Sequence, residues 1–100
     1  MNNNKEKYFD LFQKVIENLQ KYGIKKISVF GSYARGEATS ESDLDLIVIF
    51  PEGTSLLDHI GIENEISEKL NMKVDILTEK SISPYLIDKI KKEAIVLLDA

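Results

Sequence analysis

The sequence predicts a small α/β (α+β) domain, a mixed four-stranded sheet with helices packed against it. Two observations carry this. Amphipathic stretches at helical spacing alternate with short apolar runs, in the order helix, strand, short helix, strand, helix, strand, helix, strand. The chain is 100 residues long, enough for one core and no more, so residues 1–100 read as a single domain.

Tyr8, Leu11, Phe12, Val15, Ile16 and Leu19 recur at helical spacing and predict a helix from about Lys5 to Lys21. Gly23 is placed to end it in the left-handed conformation. Lys25 to Phe30 (KKISVF) is the first strand, broken by Gly31-Ser32, with a turn or short helix over Tyr33 to Gly36. Glu37 to Ser42 is polar and aperiodic, hence a loop. Asp43 to Phe50 is the second strand. Its tail LIVIF is apolar on both faces, which predicts a central strand covered on both sides. Pro51 and Gly53 turn the chain, and Ser55 caps a helix from about Leu56 to Leu70. Leu56, Ile60, Ile66 and Leu70 are its expected buried side, with Asn71 closing it. Met72 to Leu77 is the third strand. Ser83-Pro84 opens a helix to about Lys92, and Ala94 to Leu98 is the last strand.

Bulk properties exclude several function classes. No apolar run approaches the length of a membrane span, and MNNNKEK lacks the apolar segment of a secretory signal. The polar start, Met1 to Lys5, is the one stretch where disorder is expected. There is no cysteine, so disulfides, thiolate zinc sites and a Cys nucleophile are out, which fits a cytoplasmic protein. The net charge is −4, with lysines scattered among glutamates. That argues against gripping long DNA or RNA. A nucleoside triphosphate needs no basic stripe, because metal ions and backbone N–H groups can hold it.

The chemistry concentrates in residues 31–46, GSYARGEATSESDLDL. Side chains two apart on a strand share a face, so Asp43 and Asp45 project together, their Cα atoms within about 7 Å. Two such carboxylates repel, and a divalent cation removes the penalty; oxygen ligands alone favour magnesium or manganese. Taken by itself, the pair favours a plainer reading, with Asp43 capping a turn and Asp45 in a salt bridge to a lysine. Asp75, interrupting the apolar strand KVDIL, changes the weighing. If it faces the same side, three carboxylates form a two-metal site, with Asp75 a ligand and candidate general base. Gly31-Ser32, a strand end entering a helical turn, offers backbone N–H groups and a hydroxyl to phosphates. Arg35 has two open roles, a phosphate contact or a salt bridge to Glu37 or Asp43. Tyr33 could edge the nucleotide pocket. His59, the only histidine, reads as an exposed helix residue, and Tyr8, Phe12 and Tyr22 as core.

These motifs resemble the DNA polymerase β-type nucleotidyltransferase superfamily. Its signature is matched by Gly31-Ser32, Ala34-Arg35-Gly36, Ser42-Asp43-Leu44-Asp45-Leu46 and Asp75, and the element order over about residues 5 to 98. The small size resembles the minimal nucleotidyltransferases (MNT proteins), which are paired with HEPN-domain partners. The resemblance implies that Asp43 and Asp45 bind two Mg2+ ions, with Mn2+ an alternative. Asp75 would orient or deprotonate the acceptor hydroxyl, and Gly31 and Ser32 would hold the triphosphate of ATP. It further implies transfer of AMP to a hydroxyl, a tyrosine of the HEPN toxin, by an antitoxin in a hetero-oligomer. Larger relatives carry a helical second domain, which this sequence lacks, so a partner is expected to complete the site. Two alternatives stay open: a non-catalytic antitoxin that silences its partner by contact, and a small-molecule nucleotidyltransferase subunit.

Overall fold

The computed structural model describes residues 4–100. The elements are α1 (Asn4–Lys7), α2 (Phe9–Gln20), β1 (Lys26–Phe30), α3 (Ser32–Arg35), β2 (Leu44–Ile49), α4 (Leu56–Leu70), β3 (Val74–Leu77), a 3-10 turn (Glu79–Ser81), α5 (Pro84–Glu93) and β4 (Ile95–Asp99). The strand order is β3-β2-β1-β4. β1 pairs antiparallel with both β2 and β4, and β2 pairs parallel with β3 through the α4 crossover. The sheet is therefore mixed, as predicted.

Local signals explain the boundaries. Ser55 and Asp58 form a reciprocal capping box that starts α4, and Asn71 ends it in the left-handed conformation. Ser83 accepts a hydrogen bond from the Tyr85 N–H and Pro84 occupies the first turn of α5. The predicted first helix is two helices: Tyr8, at φ −116° and ψ 32°, leaves helical geometry and separates α1 from α2. The break lets α1 turn onto α3, where Asn4 Nδ2 donates to the Ala34 carbonyl and Lys7 Nζ to that of Gly36. Those carbonyls end a helix of one turn and need outside donors. The polar start thus begins structure at Asn4, contrary to expectation; Met1–Asn3 lie outside the described residues.

The core lies on one face of the sheet. Ile27 and Val29 of β1, Leu44, Leu46 and Val48 of β2, and Val74 and Ile76 of β3 are buried there against Phe12, Val15 and Leu19 of α2 and Ile62 and Ile66 of α4. The buried stripe of α4 therefore differs from the predicted one. Leu56 and Ile60 are exposed, because the helix presents the Ile62, Ile66, Leu70 row to the sheet. The opposite face carries Ser28, Phe30, Asp45, Ile47, Ile49 and Asp75, as the cross-strand register requires. It is only partly roofed. Lys91, Ala94 and Glu79 flank a cleft of about 240 Å³ over Ser28, Ile47 and Ile49, and Ile49 is 54% exposed. β2 is central, but it is not covered evenly on both sides. Among the described residues no helix is long and apolar enough to cross a membrane.

Candidate active site

The register of the sheet brings the predicted carboxylates together. β2 and β3 run parallel with Asp45 opposite Asp75, and such neighbours put their side chains on the same face about 5 Å apart along the hydrogen-bonding direction. Asp43 lies two residues upstream, just before β2, where Leu44 N–H donates to the Lys73 carbonyl and keeps the strands paired. Burial, then Asp75, then Asp43 push the Asp45 carboxyl above its ordinary value, while Arg35 and Lys73 pull it back. The electrostatics of Asp45 thus register both other aspartates and two cations at once. Asp43 also makes a loose ion pair, 3.7 Å, with Lys73.

Gly31 ties the phosphate-binding candidate to this cluster. It sits at φ 72° and ψ −151°, a region nearly exclusive to glycine. A Cβ there would lie 2.5 Å from Asp45 Oδ2. The close approach that Gly31 permits is therefore, in the first place, to the Asp45 carboxylate. Ser32 opens α3 directly beside it, and the one-turn helix leaves its first N–H groups without intrahelical partners.

Arg35 takes the salt-bridge role, with Glu37 (3.6 Å) and with a residue the sequence reading did not single out, Glu93. Both Glu93 carboxylate oxygens lie 3.2 Å from Arg35 Nη1, and one accepts the Gly31 N–H at 3.2 Å. Glu93 is 62 positions from Gly31, so no local pattern announces it. Lys73 was more legible: its place two before Asp75 puts it beside Asp43 once β2 and β3 pair in parallel.

Two expectations are corrected. Tyr33 is buried and stacks edge-on against Tyr8, ring centroids 4.9 Å apart, so it belongs to the core and does not edge a pocket. Its position on the inward side of α3 dictates this. His59 is half-buried: Nε2 bonds the Ile76 carbonyl at 2.7 Å and the ring packs on Phe50. It lines a separate cavity of about 460 Å³ beyond the C-terminal ends of β2 and β3, at the other end of the strands from Asp43.

The donor set at the aspartates is all oxygen, which suits Mg2+ or Mn2+. Among the described residues no three acidic or histidine side chains form a ready-made metal cage. Mg2+ does not require one, since it is commonly held by one or two carboxylates together with substrate phosphates. The raised Asp45 carboxyl is the feature a cation would relieve.

Comparison with known proteins decides the family. A nucleotidyltransferase domain family matches residues 12–97. The chain belongs to this family. A relative from Methanocaldococcus jannaschii, named as a candidate protein adenylyltransferase, is 46% identical over 89% of this chain and 96% of its own length. A solved structure described as a candidate minimal nucleotidyltransferase superposes with a TM-score of 0.76 at 39% identity, covering 90% of this chain and 92% of that one. An MNT antitoxin in complex with a tri-AMPylated HEPN toxin from Shewanella oneidensis shares the fold, with a TM-score of 0.70 at 20% identity over 89% of this chain and 70% of that one. The nucleotidyltransferase chain described here is thus a minimal member of the family, and its four-stranded mixed sheet belongs to the fold it shares with that minimal nucleotidyltransferase structure.

Proposed function

We propose that this minimal nucleotidyltransferase is a cytoplasmic antitoxin that transfers AMP from ATP to a tyrosine hydroxyl of a HEPN-type toxin. The observation that carries the reading is the juxtaposition of Asp45 with Asp75 across the β2/β3 register, with Gly31 packed directly on the Asp45 carboxylate. Asp45, Asp75 and the Gly31-Ser32 turn share one corner of the open sheet face, which suits acidic ligands beside a phosphate-accepting turn.

In this mechanism Asp43, Asp45 and Asp75 hold the divalent metal. When bound, the metal neutralises phosphate charge and lowers the cost of ionising an attacking hydroxyl. Gly31 and Ser32 hold the triphosphate, and Arg35 adds a cation at the same corner. Asp75 orients the acceptor hydroxyl and accepts its proton. The hydroxyl oxygen bonds to the α-phosphorus, the bond from that phosphorus to the bridging oxygen breaks, and pyrophosphate leaves. The product is an AMP ester of the acceptor.

The named relatives support this reading: one is a candidate protein adenylyltransferase and another an antitoxin bound to an AMPylated HEPN toxin. A second reading, silencing by contact, draws on the exposed Leu56, Leu57 and Ile60 of α4, an apolar edge a partner could cover. Label transfer separates the two. The chain is incubated with Mg2+, α-labelled ATP and its co-purifying partner, beside the Asp43→Asn/Asp45→Asn double variant. Label reaching the partner only with intact aspartates is the expected result. Absence of transfer, with partner binding unchanged in the variant, would leave the contact reading.

A further inference from the structure

Glu93 occupies a position that an anion-binding corner should keep for its ligand. It is the last residue of α5, with only Ala94 between it and β4. One carboxylate oxygen accepts the Gly31 N–H, and both oxygens meet the Arg35 guanidinium. An anion held by a backbone N–H and an arginine is the arrangement in which phosphate oxygens are bound. Gly31 is also the residue against which the Asp45 carboxylate packs. Glu93 therefore holds the N–H of the same glycine that the Asp45 carboxylate approaches.

We infer that Glu93 is a residue of the nucleotide site: an internal stand-in for phosphate that an incoming triphosphate displaces from Gly31 and Arg35. The inference rests on the nucleotide reading of the site and goes beyond it. The contact is built to be given up. The side chains of Arg35 and Glu93 are 46% and 28% exposed, and ion pairs this accessible to water are weak. Arg35 keeps Glu37 as a second partner, so it stays near the corner when Glu93 swings away. The displaced Glu93 carboxylate moves from the end of α5 into water. A site that must first release an internal anion binds with an affinity reduced by the fraction of molecules in the open state.

Removing the charge tests this while keeping the shape. Binding of Mg2+·α,β-methylene-ATP, which cannot be cleaved at the α-phosphorus, is measured by calorimetry on the full chain and on Glu93→Gln, with inorganic tripolyphosphate and adenosine as separate probes. The expected result is roughly three- to tenfold tighter binding of both phosphate probes by the variant, with adenosine unaffected. Unchanged or weaker phosphate binding by Glu93→Gln, with clear binding by the parent chain, overturns the inference and leaves the nucleotide reading standing. No phosphate binding by either chain overturns both. Should Glu93→Gln fail to fold, the carbon resonance of the Glu93 carboxyl in the unaltered chain is followed during tripolyphosphate titration. A shift to the position of a solvated glutamate at saturation supports displacement, and a carboxyl that stays put refutes it.

Discussion

The two faces of the sheet are made from the same strands, yet they obey different rules. On one face Ile27, Val29, Leu44, Leu46, Val48, Val74 and Ile76 are buried almost completely beneath α2 and α4. On the other, one residue along in each strand, stand Ser28, Asp45, Ile47, Ile49 and Asp75, from nearly buried to half exposed. The first face is chosen by packing, where each methyl group has neighbours to lose. The second holds charge at a cost, which is tolerable only because the roof of α5 and the 3-10 turn is incomplete and water or a ligand can reach the carboxylates. The alternation of a strand therefore lets six residues of β2 serve stability and chemistry at once.

The largest way to break the comparison is Asp45→Asn. On the proposed mechanism transfer should fall by at least about 10²-fold, since a carboxylate proposed to hold the metal is lost. Stability should move the other way. Burial and the neighbouring aspartates raise the Asp45 carboxyl, so the fold disfavours its ionised form. A group raised in the folded state contributes stability below its unfolded value, about 3.9 for aspartate, and that contribution is lost as pH rises through the higher folded value. Thermal melts in EDTA should then show Asp45→Asn more stable than the parent chain at pH 7, with the difference vanishing near pH 3. An Asp45→Asn chain less stable at pH 7 would mean that Asp45 is a structural anion.

Leu46→Ala, one residue along β2, reverses both outcomes. Leu46 is fully buried, so truncation should cost about 2–5 kcal/mol in chemical denaturation. Transfer per folded molecule should be nearly unchanged, because the side chain points away from the aspartates.

How much of this was legible depends on whether the signal is local. Ser55, Asn71 and Ser83-Pro84 act within a few residues, so caps and helix ends could be read directly. The motif residues Gly31, Ser32, Asp43, Asp45 and Asp75 could be read as well, because charge or glycine in an apolar strand context is conspicuous. What could not be read depends on tertiary partners. The break at Tyr8 follows from α1 docking on α3, and the exposure of Leu56 and Ile60 follows from which row of α4 the sheet accepts. The fate of Arg35 is the clearest case. Its ion-pair partner Glu93 is brought in from the far end of the chain, where no local pattern announces it. The place of Tyr33, left open by the sequence, and the half-burial of His59, expected to be exposed, have the same cause, each taking its environment from a distant element: α1 and α2 flank Tyr33 through Tyr8, and β3 offers His59 a carbonyl.

The smallest expected effect sharpens the comparison most. Ile49 and Val48 are adjacent in β2, but Val48 is buried on the α2/α4 face while Ile49 is 54% exposed over the open cleft. If the open face is free of packing demands, Ile49→Ala should change stability by no more than about 0.5 kcal/mol, as for other surface positions. Equilibrium denaturation with unchanged m-value checks this. A loss approaching the Leu46→Ala value would show that the roof of α5 closes on Ile49 in solution, and that the aspartate face is better covered than its exposed isoleucine indicates. Near-neutrality would place the boundary between the packed half of the sheet and its chemical half within a single peptide unit of β2.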